Sequence, residues 1–374
     1  VQGGITRVLD CVVKRLPEDV HVGHISTFTR YTGDPEAGKS ARGSRAGQAL
    51  VYGWAFARVL WLRFTTKPIF HVHVSRRGSL LRKGVVCCML RVLRSRYVIH
   101  SHPADTDLFH AWMPAWARRW VLWGFAGAYR VLVLTRFWQE HFMGLLGLPE
   151  ERVLLMPNPA ELPAEMPQRT RDGGMQFLFL GRLGARKGTF DLIRAFAGLP
   201  EKLRAECRLT MAGDGEVEVA RALARELGCA DRISFPGWVG AAEVNQLLRE
   251  SHALALPSYA EGMAMALLEG LSWGLAVVTT GAGGNEDFLE DGRNSLLVTP
   301  GNVEEIRTAL TRLIESLELA EQLGRAARVT ARRYSVEQYV ETLSGLYREL
   351  AWGVAAQASG EASPATLLKA TTQE

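Results

Sequence analysis

The stretch Pro257-Ser-Tyr-Ala-Glu261-Gly262-Met263-Ala264-Met265-Ala266-Leu267-Leu268-Glu269-Gly270 decides the fold of this chain. The run before it, Ala253–Leu256, is wholly apolar and reads as a buried strand; Ala264–Trp273 after it has helix-forming composition. Glu261-Gly262-Met263 then falls at a helix entrance. Unpaired backbone N–H groups and the helix dipole make such an entrance a ready anion site. Gly262 allows the backbone to approach a ligand closely. Glu261 and Glu269, eight positions apart, would stand about 12 Å apart on a continuous helix. A plain reading makes Glu261 a helix cap and Glu269 a solvated helix residue. Against it, Glu269 sits in an otherwise apolar helix, where an unpaired carboxylate is costly.

Outward from this stretch, apolar runs alternate with amphipathic ones along the whole chain. Ile69–Val74, Arg96–His100 and Arg130–Leu134 read as buried strands in the first half. Gln176–Leu180, Arg208–Ala212, Arg232–Phe235, Ala253–Leu256 and Ala276–Thr279 do so in the second. Each is followed by Gly, Pro or Ser and then a helix, the pattern of βαβ units around parallel sheets. Pro157–Arg171 is Pro-rich and lacks apolar periodicity, as a linker does. Ser335–Trp352 is a last amphipathic helix, and Ala355–Glu374 has too little apolar content to pack.

Two further constellations follow strands. In Phe177-Leu-Phe-Leu-Gly181-Arg182-Leu-Gly184-Ala-Arg186-Lys187-Gly188, a Gly-rich turn carries three cations, which suits phosphate. By itself it is as well read as an ordinary strand-to-helix turn. No G-x-G-x-x-G fingerprint is present, which argues against a dinucleotide dehydrogenase. Phe235-Pro-Gly237-Trp238-Val239 could present backbone groups to a base edge, though taken alone it reads better as an ordinary turn.

The 374 residues suffice for two domains, with 47% hydrophobic and 22% charged residues. No apolar run is long enough to span a bilayer, and Val1–Leu16 lacks a signal-peptide core. The five cysteines show no metal-ligand spacing and read as free thiols of a reducing cytoplasm. Charge is split: residues 1–150 hold 21 Lys/Arg and 9 Asp/Glu, whereas the remainder holds 23 and 30. No acidic residue occurs from Ala37 to Ala104. The basic half points to an anionic partner: membrane, phosphorylated acceptor or nucleic acid.

Together these motifs resemble the C-terminal lobe of the retaining glycosyltransferases of family 4, which have the GT-B fold. The match runs through Gly181-Arg182 to Lys187-Gly188, Ala212-Gly-Asp-Gly215, Phe235-Pro-Gly237, Glu261-Gly262 to Leu268-Glu269-Gly270, Gly274-Leu-Ala-Val-Val278 and Gly283-Gly-Asn-Glu286. Gly3-Gly4-Ile5, Val98 to Phe109 with His100 and His102, Thr135, and Pro157-Asn-Pro159 resemble parts of the N-terminal lobe. Ser75 to Lys83 resembles a stretch of members that build bacterial surface polysaccharides. Pro103 after His102 and Asn294-Ser295 depart from the family pattern, and the first strand of the fold is absent.

The resemblance implies an α/β protein with two Rossmann-like lobes facing a cleft: an acceptor-side lobe over 1–158, a linker over 159–171 and a donor-binding lobe over 172–333. A helix over 334–354 crosses back to the first lobe, and 355–374 is a disordered tail. It implies sugar transfer from a nucleotide diphosphate-sugar to a hydroxyl of a saccharide or lipid-linked acceptor, with retention, in exopolysaccharide or lipopolysaccharide synthesis. Arg182 and Lys187 would neutralise the departing diphosphate, an electrostatic role that is usually the largest one. Glu261 would bind sugar hydroxyls and Glu269 the ribose. Gly3, Gly4, Gly262, Met263, Ala264 and Leu268 would border the donor, with Trp238 and Val239 beside its base. His102 is preferred to His100 as the active-site histidine, and His71 and His73 are read as structural. No D-x-D motif is present, and the two cations make a metal or other cofactor unnecessary for this chemistry. The expected location is cytoplasmic, with the basic first lobe against the inner face of a membrane and no nucleic-acid partner. The rival readings are a non-catalytic sugar-nucleotide binding protein and a GT-B nucleotide-sugar epimerase.

Overall fold

The computed structural model describes residues 4–27, 45–75, 78–102, 113–170 and 173–359. Gly3, Arg76, Arg77, the segment after His102 up to Trp112, and the tail from 360 lie outside the described residues.

The first lobe comprises α1 (Gly4–Val13), α2 (Arg45–Thr65), β1 (Phe70–Val74), α3 (Gly78–Val92), β2 (Tyr97–Ser101), α4 (Ala115–Ala126), β3 (Arg130–Val133), α5 (Arg136–Leu146) and β4 (Val153–Leu155). Its strands form one parallel sheet in sequence order. Strand side chains alternate between faces. Phe70, Val72, Val74, Ile99, Val131 and Val133 therefore share one face and a core with Leu80, Leu90, Phe125 and Phe142 from α3 to α5. Val98 and Leu132 point the other way, onto Val8 and Val12 of α1.

The second lobe holds β5 (Met175–Leu180), α6 (Thr189–Ala197), α7 (Glu201–Ala205), β6 (Cys207–Ala212), α8 (Val217–Glu226), β7 (Ile233–Gly237), α9 (Ala241–Glu250), β8 (Ala253–Leu256), α10 (Met265–Ser272), β9 (Ala276–Thr279), β10 (Leu296–Leu297), α11 (Val303–Glu315) and α12 (Leu317–Ala331). All its strand pairs are parallel, in the order β10-β9-β8-β5-β6-β7. β8 and β9 are buried along their whole length, as strands covered on both faces must be, which is why their sequences are unbroken apolar runs. The order reverses between β5 and β8. In open α/β sheets the crevice beyond the strand ends at such a switch point is where ligands bind.

The last helix, α13 (Val336–Ser359), lays Tyr339, Val340, Leu343, Leu346 and Leu350 on the Val98–Leu132 face of the first sheet. It extends beyond the expected end at 354. The chain between the lobes docks on the second: Arg169 donates to the carbonyls of Leu248 and Trp273 at 3.1 and 2.8 Å. The Ala160 amide donates to the Tyr334 carbonyl at 2.8 Å, where α13 departs.

Close loop packing at the switch point depends on glycine. Gly188 has φ +67°, and a Cβ there would stand 2.0 Å from the Pro257 carbonyl oxygen. Gly147 has a similar φ of +61° but open space around its missing Cβ. Gly147→Ala should therefore cost only the left-handed backbone, roughly 1–2 kcal/mol. Gly188→Ala should cost more, because two loops must part. Urea unfolding midpoints of the two variants measure the difference, and equal midpoints would mean that the loop approach at Gly188 is not tight.

Candidate active site

Two loops leave the carboxyl ends of β5 and β8, on either side of the switch point. The first carries Gly181 to Gly188 and ends in a 3-10 turn over Ala185–Lys187. The second carries Pro257 to Ala264 and feeds α10. They are stitched together by backbone: the Tyr259 amide donates to the Arg186 carbonyl at 2.9 Å, and the Arg186 guanidinium to the Ala260 carbonyl at 2.6 Å.

This stitching brings Lys187 and Glu261 into contact. Lys187 Nζ lies 2.5 Å from Glu261 Oε1, and Arg186 lies 3.8 Å from Oε2. The Glu261 side chain is only 5% exposed. A carboxylate so buried requires a partner, because an unpaired buried charge is strongly destabilising. Glu261 is therefore not a helix cap. It is half of a buried ion pair at the floor of the crevice. The amides of Gly262, Met263 and Ala264 beside it make no hydrogen bond to any described residue. They meet the helix entrance as a set of donors suited to an anion.

The other second-lobe residues surround this centre. Arg182 is 71% exposed and pairs with Asp214 at 3.2 Å, on the loop after β6. Trp238 is half exposed beyond β7, while Val239 packs against the core. Leu268 is buried in that core. Glu269 is half-buried on α10. Because α10 begins at Met265, the Glu261–Glu269 spacing is only partly helical.

Among the described residues, the first lobe bonds to the loop before α10 and to the segment Ala282–Asp287 after β9. Trp138 Nε1 donates to the Gly262 carbonyl at 3.1 Å, and Asn158 donates to that of Met263 at 3.2 Å. Thr135 donates to the Gly283 carbonyl at 2.8 Å, and the Arg136 amide to Asp287 at 2.5 Å. The buried ring of Trp138 is a contact that sequence reading missed. An aromatic with a polar handle just after a strand that precedes the hinge was its only signal.

In the first lobe, Gly4 opens α1. His102 follows β2, its amide bonded to the Val74 carbonyl at 2.8 Å and its Nε2 3.0 Å from His73 Nδ1. No hydrogen bond or ion pair among the described residues joins it to the Lys187–Glu261 pair. His71, His73, His100 and His102 form one cluster of stacked and tilted rings. Burial drives all four toward the neutral form, with His71 held down to about 4 and His102 to about 3. The signal for the cluster was the H-x-H pattern occurring twice, since a spacing of two keeps side chains on one strand face.

Residues 165–330 match the family described as glycosyl transferases group 1. An alpha-D-kanosaminyltransferase of Streptomyces kanamyceticus is 26% identical over 331 residues, 80% of this chain and 84% of that protein. A lipopolysaccharide 1,6-galactosyltransferase of Salmonella typhimurium is 33% identical over 175 residues, 45% of this chain and 48% of the relative. The chain thus spans most of the first relative and about half of the second. Among solved structures, Anabaena HepE in complex with UDP and glucose superposes with a TM-score of 0.65 at 19% identity, covering 83% of this chain and 84% of that one. Sucrose-phosphate synthase from Thermosynechococcus elongatus superposes with a TM-score of 0.72 at 17% identity, covering 93% of each. Those likenesses give the fold. With two parallel-sheet lobes meeting at a crevice, the chain has the GT-B architecture, and its residues 165–330 carry the motifs of the glycosyl transferases group 1 family in their order.

Proposed function

We propose that this glycosyltransferase moves a sugar from a nucleotide diphosphate donor to a hydroxyl of a saccharide or lipid-linked acceptor, with retention, during assembly of a bacterial surface polysaccharide. The observation that carries the reading is the buried Lys187–Glu261 pair at the switch point, beside three amides that make no hydrogen bond among the described residues. Diphosphate fits there, because backbone N–H groups and a cation meet at one place. Lys187 and the exposed Arg182 take the negative charge that grows on the leaving diphosphate. Glu261 remains beside them to accept hydrogen bonds from sugar hydroxyls. Glu269 holds the ribose, and Trp238 offers its exposed ring to the base. His102 approaches the sugar from the first lobe as a neutral imidazole. The leaving phosphate oxygen takes the proton of the acceptor hydroxyl, so no separate carboxylate base is required. The kanosaminyltransferase and galactosyltransferase similarities support this class of reaction.

The acceptor reading rests on the first lobe. Trp116 and Trp120 of α4 are 70% and 58% exposed, so these rings do not pack onto the sheet. Trp123 is also exposed, under the Arg91 guanidinium at 4.4 Å. Tryptophan beside arginine on a basic lobe suits an anionic membrane interface, where a lipid-linked acceptor would reside. No described helix is long and apolar enough to cross a membrane. Contact is therefore proposed as peripheral, on the inner face.

Three outcomes follow. Lys187→Ala should lower transfer at least tenfold, since a charge-assisted bond is worth roughly 1.5–3 kcal/mol. A thermal melt must accompany it, because Glu261 keeps only Arg186 at 3.8 Å. Unchanged turnover would remove Lys187 from the diphosphate site. Glu261→Gln should impair turnover more than nucleotide binding, whereas Glu269→Gln should weaken binding of the free nucleoside diphosphate. Titration calorimetry with both variants decides between the two roles, and the opposite pattern would exchange them. Finally, the protein should float with anionic liposomes at low salt and less so with neutral ones or at high salt, each cation near the surface adding about 1 kcal/mol. Recovery in the unbound fraction under all four conditions would dismiss the membrane surface.

A further inference from the structure

β1 and β2 pair in parallel with His73 opposite His100, so the two H-x-H segments present their rings on one sheet face. His71 and His73 stack with centroids 4.4 Å apart, and His100 lies 5.5 and 5.2 Å from them. One ring nitrogen from each of these three can be chosen so that all lie within 4.8 Å of one another. The Nδ1 atom of each of the three rings has a partner of its own. His71 Nδ1 is 2.6 Å from Tyr347 Oη, His73 Nδ1 is 3.0 Å from His102 Nε2, and His100 Nδ1 is 3.5 Å from Tyr339 Oη. The Nε2 atoms of His71 and His100 are buried and have no hydrogen-bond partner among the described residues.

We propose that His71, His73 and His100 bind one divalent transition-metal ion of the zinc type. If each Nδ1–H donates outward to Tyr347, His102 or Tyr339, each Nε2 is left with a lone pair for the ion. Such outer hydrogen bonds are what fix the tautomer and aim of metal-binding imidazoles. A tetrahedral ion with bonds of about 2.0–2.1 Å sets its nitrogens about 3.3 Å apart, so nitrogens within 4.8 Å of one another need to close by up to about 1.5 Å. Three neutral nitrogens and no carboxylate select zinc, cobalt, nickel or copper over magnesium or calcium. The Lys83 ammonium, which donates to the His73 carbonyl, adds positive charge nearby, so an anion suits the fourth position. The ion would clamp β1 to β2 beneath His102 and hold the His73–His102 bond. It lies in the first lobe, so it does not depend on the donor reading of Lys187 and Glu261.

The test uses the full chain, stripped with a chelator and titrated with cobalt(II). One equivalent should bind and produce the intense visible bands of four-coordinate cobalt, and zinc should bleach them. His73→Ala and His100→Ala should weaken cobalt binding by at least about a hundredfold, and His102→Ala by about tenfold, as for an outer partner. His24→Ala, on an exposed loop, should titrate like the parent. Circular dichroism checks folding of each variant. Should His100→Ala not fold, His73→Gln, which changes a half-buried position, carries the comparison. Absence of the bands in the parent protein would overturn the proposal. So would parental cobalt affinity in the folded His73 variants.

Discussion

The Lys187–Glu261 ion pair is the constraint around which the second lobe is arranged. A carboxylate 5% exposed must be neutralised where it lies. Its partner comes from a loop 74 positions earlier, on the neighbouring strand across the switch point. For the two loops to meet, the Gly188 backbone must pass the Pro257 carbonyl, and the Gly283 backbone must pass that of Glu261. Buried ion pairs are poor sources of stability, because desolvation offsets their attraction. The value of this pair is therefore positional. It holds a cation and a carboxylate at fixed places beside the strand ends, each neutralising the other.

The same loop is held from the other side by the first lobe. Trp138 and Asn158 occupy the carbonyls of Gly262 and Met263, and Thr135 occupies that of Gly283. Using the acceptors of a peptide segment in this way leaves its amides as the groups available to a ligand. The hinge thereby determines the polarity of the site as well as the placement of the lobes. Helix α13 adds a second tie, because it begins beside Ala160 at the hinge and ends on the first sheet.

Most of the second lobe was legible in the sequence, for a physical reason. Parallel strands buried on both faces, as β8 is, are continuous apolar runs, and β5, β6, β8 and β9 lie within a residue of the expected spans. β4 and β10, three and two residues long, are too short to carry a pattern and were not anticipated. Glu261 and Lys187 were legible one at a time as residues suited to sugar and phosphate. Their pairing was not, since periodicity describes one element and says nothing about which strands are neighbours. The histidine cluster was lost in the same way. The spacing of His71 and His73, and of His100 and His102, places each pair on one strand face. Only the β1–β2 register brings the two pairs together.

The charge division along the chain survives folding. The acidic partners that first-lobe cations find come largely from later sequence: Glu161 pairs with Arg15, and Glu349 of α13 with Arg130. These pairs are partly exposed, and exposed pairs contribute little to stability. Residues 1–150 hold 21 Lys/Arg against 9 Asp/Glu. Self-repulsion among like charges opposes a compact lobe. An anionic partner of the kind proposed above would relieve that repulsion. The exposed tryptophans of α4 lie on the same basic lobe, so the proposed peripheral contact would draw on apolar and charged groups together.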